Sequence, residues 1–350
     1  MIRPRLREVT LAVVSTLVAA AVGLAIFGWY QGHRDPVAAG KDLNRLAWES
    51  AFVERGLAVP PSGPRNGYWG ALLPPKVPDA RVGWHEASVS VPGRVEVDAQ
   101  GYQHDTTAAP GKRHVVVFGG SVAFGGYASS LDTTYFHVLG RELERAGTPA
   151  DVTVVASGAW KAIQELNALA AFGPELKPDV VVFLDGLNDL TSGATARTLF
   201  GEVTPTRDGS PWTSEYHAHD YADRVTAYLG IMGKAAELSA QLGSGMLVVL
   251  QPSLAERSRR TPIEERLLEG SLRPHASAEA LTQSYEAMRR GLAARAATGA
   301  FRFLDCSRLF DVDAQTSFAD LWHFGDPGQV LLGRAIASEV AAMLAARPPR

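Results

Sequence analysis

The chain has 350 residues, of which 46% are hydrophobic and 20% are charged, and its formal net charge is −3. This composition allows a sizeable core and excludes a chain that is disordered throughout. The near balance of charges, with no long basic run, excludes a dedicated nucleic-acid binder, which needs a surface that neutralises phosphates. Cys306 is the only cysteine, so an intramolecular disulfide framework and a zinc ribbon are excluded as well.

The amino terminus carries a long apolar segment. Val9 to Tyr30 contains no charged residue, and about 20 helical residues are enough to cross a bilayer. Arg3, Arg5 and Arg7 precede this segment, so the positive-inside rule keeps the amino terminus in the cytoplasm and exports the remainder. A cleaved signal peptide is the competing interpretation, although its apolar core usually spans only about 7–15 residues. Both interpretations predict that residues 31–350 function outside the cytoplasm.

The distribution of apolar residues and prolines along the chain predicts three segments. Residues 1–30 form an Arg-rich tip and a membrane anchor, residues 31–112 form a linker and an accessory subdomain, and residues 113–350 form the main domain. A cluster of prolines breaks any long helix in the second segment. Within it, Asp42–Leu57 is predicted as a short amphipathic helix and Arg94–Tyr102 as a strand or hairpin.

From His114 onward, short apolar runs alternate with helical patterns. The predicted strands are His114–Phe118, Val152–Ala156, Val180–Leu184, Gly245–Leu250 and Phe301–Leu304. The predicted helices are Thr134–Ala146, Ala159–Phe172, His219–Gln241, Ser277–Ala297 (with Ser277 as N-cap) and Gly328–Ala345. Segments 190–215 and 253–275 are predicted as loop-rich insertions, and the basic run Arg257–Arg260 as solvated surface. This alternation predicts an α/β fold, a three-layer, doubly wound parallel sheet whose ligands bind beyond the carboxyl ends of its strands.

A glycine-rich turn follows the first of these strands. Gly119-Gly120-Ser121 is followed by Ala123 and by Gly125-Gly126, so the phosphate-binding loop, the dinucleotide fingerprint and the nucleophile elbow are all excluded. What remains is a serine at a strand-to-helix turn whose glycines let backbone N–H groups point inward. This serine is either functional or part of an ordinary Gly-Ser turn.

Polar residues also follow two other elements. Asn188 comes after the third strand, where its amide can donate to a developing oxyanion or form an Asx-turn. Asp320 and His323 lie three residues apart before the last helix, where the carboxylate can orient an imidazole that takes a proton from a nucleophile. No metal is predicted, because a catalytic zinc usually has three protein ligands and the only other cluster is at 217–220.

Taken jointly, residues of about 113–345 resemble the SGNH/GDSL hydrolase family. The resemblance is carried by Gly119-Gly120-Ser121, by the stretch from Ser157 to Leu166, by Gly186-Leu187-Asn188-Asp189 and by Asp320 to His323. It implies a flavodoxin-like fold, an acyl-serine mechanism and no cofactor. By resemblance, Ser121 is the nucleophile, His323 is the general base and Asp320 is its orienting carboxylate.

The resemblance also implies an oxyanion hole, formed by the Ser121 backbone N–H, Asn188 and a backbone N–H of the second block. Gly158 is the residue chosen for that last donor. Counting back from Gln164 points instead to Ala159, which is the alternative. The sequence departs from the family at Gly120 as well, where the family name has aspartate.

The predicted function is that of a membrane-anchored serine esterase on the extracytoplasmic side, periplasmic or extracellular. Its expected substrates are O-acyl esters, O-acetyl esters first, on small molecules or on cell-envelope or extracellular glycans. A lipid esterase or thioesterase, a glycan O-acyltransferase and a non-catalytic scaffold in envelope polysaccharide assembly are the alternatives. Because the pKa of an unperturbed histidine is about 6.5, activity is expected to rise between roughly pH 6 and 8.

Overall fold

The computed structural model describes residues 36–65, 74–105, 112–191, 221–272 and 277–347, with the short stretches 196–197 and 202–203. Of residues 36–42, 196–197, 202–203 and 271–272, only the backbone is described. The chain divides into two compact units, Met1–Leu43 and Asn44–Arg350, and the second contains all the side chains discussed below. The predicted membrane span Val9–Tyr30 lies outside the described residues, as does most of the predicted insertion 190–215.

Helices and strands alternate along the main domain, as the sequence predicts. The described helices are α1 (Pro36–Val53), α2 (Ser121–Phe124), α3 (Tyr135–Arg145), α4 (Ala162–Leu176), α5 (Leu187–Thr191), α6 (Tyr221–Gln241), α7 (Pro262–Leu272), α8 (Ala278–Ala296) and α9 (Asp326–Ala345). The described strands are β1 (Lys76–Asp79), β2 (Gly83–Glu86), β3 (Val89–Val91), β4 (Val95–Val97), β5 (Gln103–His104), β6 (Arg113–Gly119), β7 (Ala150–Ala156), β8 (Val180–Asp185), β9 (Ala196–Arg197), β10 (Glu202–Val203), β11 (Gly245–Leu250) and β12 (Arg302–Asp305).

Six strands form the central sheet, in the order β12-β11-β8-β6-β7-β5. The first five are parallel to one another, which confirms the predicted α/β fold with a parallel sheet. Strands β8 and β11 are buried at every residue, as strands covered on both faces must be. The sixth strand, β5, comes from the accessory region and pairs antiparallel with β7, so the sheet is mixed.

The strand order places a switch point beside β6. The chain runs from β6 to β7 on one side and then returns to β8 on the other side of β6. The helices contact one another in two groups, as expected for the two covered faces of a doubly wound sheet: α3 packs against α9, and α6 packs against both α4 and α8. Loops beyond the carboxyl ends of the strands at such a point form a crevice that binds ligands. The residue that follows β6 is therefore well placed to meet a substrate.

Helix α9 is the one helix of the described ranges that is long and apolar enough to cross a membrane. Half of its most apolar window, 50%, is buried inside the protein. Leu332, Ile336 and Val340 of this helix are wholly buried, and α9 packs against α3. The core helix of a soluble domain meets the same criterion of length and composition, so α9 carries no inference about a membrane.

Two boundary predictions change in the structure. Helix α4 begins at Ala162 rather than at Ala159, because Ala159 has a φ of +65°, which a right-handed helix cannot contain. Helix α7 occupies residues 262–272 of the segment 253–275 that is predicted as a loop-rich insertion, and Pro262 stands at its first position, where a missing N–H costs nothing. The N-cap prediction is confirmed, since the Ser277 hydroxyl accepts from the Ala280 N–H at 3.0 Å.

The prediction of a solvated basic run at 257–260 is wrong for Arg257. Its side chain is 1% exposed and pairs at 3.0 Å with Glu264, which is 0% exposed. Ser258 and Arg259 are exposed, as the prediction has it. A buried arginine is stable there because a buried carboxylate and three backbone carbonyls, of Arg259, Asp313 and Gln315, accept its hydrogen bonds.

Candidate active site

Ser121 begins the short helix α2, and only Gly120 separates it from the end of strand β6. A Cβ on Gly119 would lie 2.4 Å from the Cβ of Ala123 and 2.5 Å from the carbonyl oxygen of Leu184. Glycine at 119 therefore lets the turn close tightly against β8. The N–H of Ser121 is the first of its helix and has no intrahelical acceptor, which leaves it available to a ligand.

The structure brings together Ser121, Asp320 and His323 from opposite ends of the main domain. Nε2 of His323 lies 2.7 Å from the Ser121 hydroxyl oxygen. Nδ1 of His323 lies 2.7 Å from Oδ2 and 3.0 Å from Oδ1 of Asp320. Because Nδ1 faces only carboxylate oxygens, it carries the ring proton, and Nε2 is left to accept from the serine hydroxyl.

The Asp320 carboxylate is buried and held in place by several donors. The backbone N–H groups of Trp322 and His323 donate to Oδ1 at 2.8 and 2.7 Å. Burial by itself raises the pKa of Asp320, but the charge of His323 and these hydrogen bonds outweigh it. The pKa of Asp320 therefore lies below its ordinary value, and the group is a carboxylate throughout the range in which histidine titrates.

Tyr127 completes this arrangement and was not found from the sequence. Its hydroxyl donates to Oδ2 of Asp320 at 2.8 Å, and its ring is stacked on that of His323 with centroids 4.2 Å apart and planes 5° apart. The Tyr127 carbonyl accepts from the Trp48 indole N–H at 2.9 Å. An aromatic residue in the loop that follows Ser121, directly after Gly125-Gly126, was the available signal.

Asn188, in the short helix α5, lies beside the serine turn. Its side-chain nitrogen donates to the Trp160 carbonyl at 2.9 Å, and the second N–H of the amide remains for another acceptor. A Cβ on Gly120 would lie 2.5 Å from that nitrogen and 3.2 Å from the Trp160 oxygen. Glycine at 120, where the family name has aspartate, therefore allows Asn188 to approach Ser121.

The choice of Gly158 as an oxyanion donor is wrong in this structure. The N–H of Gly158 already donates to the Glu86 carboxylate at 3.1 Å. Ala159 has a φ of +65°, the left-handed conformation that glycine adopts most readily, and its N–H meets no acceptor among the described residues. The alternative, Ala159, therefore fits the donor position, in agreement with the count back from Gln164.

Three carboxyl groups near Asn188 are buried and interact with one another, those of Glu165, Asp185 and Asp189. The Tyr228 hydroxyl donates to Oδ1 of Asp185 at 2.8 Å. Burial, followed by the charge of Asp185, raises the pKa of Glu165 well above its ordinary value. Burial also raises the pKa of Asp185 to about 6 and, together with the charge of Asp185, that of Asp189 to about 7. Among the described residues, no group of three His, Cys, Asp or Glu side chains is placed to bind an ion. The predicted cluster at 217–220 lies outside the described residues.

No family model and no curated protein matches the chain. Several solved structures are similar to it. The acetyl xylan esterase AlAXEase is 12% identical, with 65% of this chain and 99% of that chain covered and a TM-score of 0.43. A lipase/acylhydrolase from Enterococcus faecalis is 17% identical, with 68% and 98% covered and a TM-score of 0.43. A GDSL-like lipase from Parabacteroides merdae is 12% identical, with 66% and 97% covered and a TM-score of 0.45.

Identities and TM-scores this low carry no argument about the chemistry of this chain, which rests on the geometry of Ser121, Asp320 and His323. These three similar structures are described as an acetyl xylan esterase, a lipase/acylhydrolase and a GDSL-like lipase.

Proposed function

We propose that this chain is a serine ester hydrolase that cleaves O-acyl esters through an acyl-serine intermediate. The observation that carries the proposal is the continuous chain of contacts from the Ser121 hydroxyl to Nε2 of His323 and from Nδ1 to Asp320, each of 2.7 Å. A serine hydroxyl is a weak nucleophile until a neighbouring base takes its proton, and this geometry supplies that base. The left-handed turn at Ala159 and the close approach of Asn188 support an oxyanion hole beside it.

The residues divide the reaction into two similar steps. The Ser121 oxygen attacks the ester carbonyl while its proton passes to Nε2 of His323, and Asp320 stabilises the imidazolium that forms. The N–H groups of Ser121 and Ala159 and the Asn188 amide stabilise the oxyanion, each by about 3–4 kcal/mol in comparable sites. His323 then gives the proton to the leaving alcohol, and a water or a second alcohol repeats the sequence on the acyl-serine.

The finer proposal concerns substrate and location. O-acetyl esters of glycans are the proposed substrates, and the proposed position of the enzyme is outside the cytoplasm on a single membrane anchor. The uncharged run Val9–Tyr30 and the arginines before it support the location. A protease-protection experiment on spheroplasts, whose periplasmic face is open to added protease, tests this part: an epitope at residue 350 should be cleaved, and its protection in sealed spheroplasts would contradict the proposal.

A fluorophosphonate probe tests the activated serine directly. The full-length chain in detergent should be labelled at Ser121 and should hydrolyse a small aryl acetate, whereas Ser121→Ala should do neither. Ser90→Ala, at an exposed position of β3, is the matched control and should behave as wild type. A folded wild-type protein that is neither labelled nor active would contradict the proposal and favour the non-catalytic scaffold.

A series of aryl esters tests the acyl group. Acetyl esters are expected to give the highest kcat/KM, and a rate that rises steeply from acetyl to long acyl chains would favour the lipid esterase. Adding a xylo-oligosaccharide as acceptor and analysing the products separates hydrolysis from transfer, since an acetylated sugar forms only if the acyl-serine reacts with an alcohol.

A further inference from the structure

Strand β2 of the accessory region lies against the segment that carries Ala159, residues 157–161, here called the oxyanion loop. Trp84 and Glu86, the two inward-facing residues of β2, are 7% and 1% exposed. The Trp84 carbonyl accepts from the Trp160 indole N–H at 2.8 Å. The accessory strand and the oxyanion loop are therefore joined by backbone as well as side-chain contacts.

Both polar groups of Gly158 are held by this strand. Oε1 of Glu86 accepts from the Gly158 N–H at 3.1 Å and from the Ser157 hydroxyl at 3.0 Å. The Trp84 indole N–H donates to the Gly158 carbonyl at 3.3 Å. The Lys76 ammonium pairs with Glu86 and lies 3.0 Å from the Ser157 hydroxyl, so the buried carboxylate has a counter-charge.

Given the proposed esterase function, we infer that Glu86 and Trp84 are positioning residues of the oxyanion hole. By fixing the N–H and the carbonyl of Gly158, they fix the peptide planes on either side of that residue and hold Ala159 left-handed. A non-glycine residue keeps such a conformation only where its surroundings over-determine it. The N–H of Ala159 is thereby kept in the direction of the oxyanion instead of turning away with the loop.

Two variants separate the hydrogen bond from the ion pair. All the contacts of Glu86 use Oε1, and Oε2 has no partner among the described residues, so Glu86→Gln can keep the acceptor for Gly158. The double variant Lys76→Met/Glu86→Leu replaces both buried charges by apolar groups, which is tolerated far better than leaving one charge unpaired. It removes the acceptor for Gly158. Glu96→Leu, at an exposed position of strand β4, is the control.

The measurements are kcat and KM for an aryl acetate, the rate of fluorophosphonate labelling of Ser121, and the urea-unfolding midpoint, all on the full-length chain. Loss of one oxyanion donor lowers kcat by about 10²–10³-fold, so a misdirected donor should lower it by about tenfold to hundredfold. KM should stay unchanged, because the donor acts in the transition state. The double variant should show this loss and slower labelling, and Glu86→Gln and the control should stay within about twofold of wild type.

Several results would overturn the inference about Glu86 and Trp84 and leave the proposed esterase function intact. With wild type active and labelled, a folded double variant with unchanged kcat, or with only KM raised, excludes a role in the oxyanion hole. Equal losses in Glu86→Gln and in the double variant exclude the acceptor argument. If the double variant does not fold, Trp84→Phe decides, since a lowered kcat at constant KM supports the inference and an unchanged kcat overturns it. An inactive, unlabelled wild type overturns the proposed function itself.

Discussion

The ring of Tyr127 lies parallel to the imidazole of His323, with centroids 4.2 Å apart, and its hydroxyl donates to the same carboxylate oxygen of Asp320 that faces the imidazole. The stack fixes the plane of the ring, and so the direction of Nε2 toward Ser121. The hydrogen bond draws negative charge away from the oxygen that stabilises the imidazolium. Tyr127 thus acts on both the orientation and the protonation of the proposed general base.

Removing only the hydroxyl separates these two effects. Tyr127→Phe keeps the stack but leaves Oδ2 of Asp320 without that donor, so the imidazolium is better stabilised. The acidic limb of the kcat/KM–pH profile should therefore move to higher pH by roughly half a unit. The free energy that corresponds to this shift is a fraction of the ~1.5–3 kcal/mol that a hydrogen bond to a charged group contributes. Tyr127→Leu should lower kcat as well. Tyr102→Phe, at a partly buried tyrosine that packs edge-on against Phe172, is the control, and an unmoved limb in Tyr127→Phe would contradict this account.

Replacing Ala159 by glycine should stabilise the folded protein. A left-handed conformation costs a non-glycine residue about 1–2 kcal/mol, and Ala159 has a φ of +65°. Part of this cost is offset by the greater unfolded-state entropy of glycine, so Ala159→Gly should raise the free energy of unfolding by up to about 1 kcal/mol and keep kcat. Ala170→Gly, inside helix α4, should instead lower the free energy of unfolding by about 0.5–1 kcal/mol. Urea unfolding of both variants checks this prediction, and equal destabilisation would contradict it.

Gly120 should be intolerant of any side chain. A Cβ there would lie 2.5 Å from the Asn188 side-chain nitrogen, so Gly120→Ala should displace that donor and lower kcat by about 10²–10³-fold. Combining it with Asn188→Ala should lower kcat little further than Asn188→Ala alone, because both changes remove one interaction. Gly230→Ala, in helix α6 with no atom within 4 Å of the added Cβ, is the control. Fully additive losses would show that Gly120 acts by another route.

The sequence predicts most of the sheet and the three residues of the serine site, because both depend on local patterns. Strands β6, β8 and β11 are short apolar runs, and the residues of the site follow strands or precede a helix. The roles of Tyr127 and Glu86 could not be predicted, since their partners are far away along the chain. The wrong choice at Gly158 has the same origin: its N–H is occupied by Glu86, 72 residues away.

The error at Arg257 has a physical reason of its own. Arg257 looks like surface because charge normally avoids the core, yet Glu264 and three backbone carbonyls satisfy its donors in the interior. Glu86 is a comparable case: β2 alternates between partly exposed and buried residues, yet nothing in the sequence marks a glutamate on its inner face as an acceptor. In both cases the favourable partner, rather than the residue type, decides burial.

The buried carboxyl groups below Asn188 should make stability fall as pH rises. The pKa values of Glu165, Asp185 and Asp189 lie above those of ordinary carboxyl groups, the latter two at about 6 and about 7. The folded state therefore binds more protons than the unfolded state between about pH 4 and 7. The stabilising contribution of these protons is lost as pH rises through the pKa values of the folded state.

Glu165→Gln removes one charge from the group but can still donate to Asp185. Its stability relative to wild type should therefore increase from pH 5 to pH 8 in urea unfolding. Glu144→Gln, at an exposed position of α3, should show no such trend, and a difference between Glu165→Gln and wild type that is constant with pH would contradict the argument.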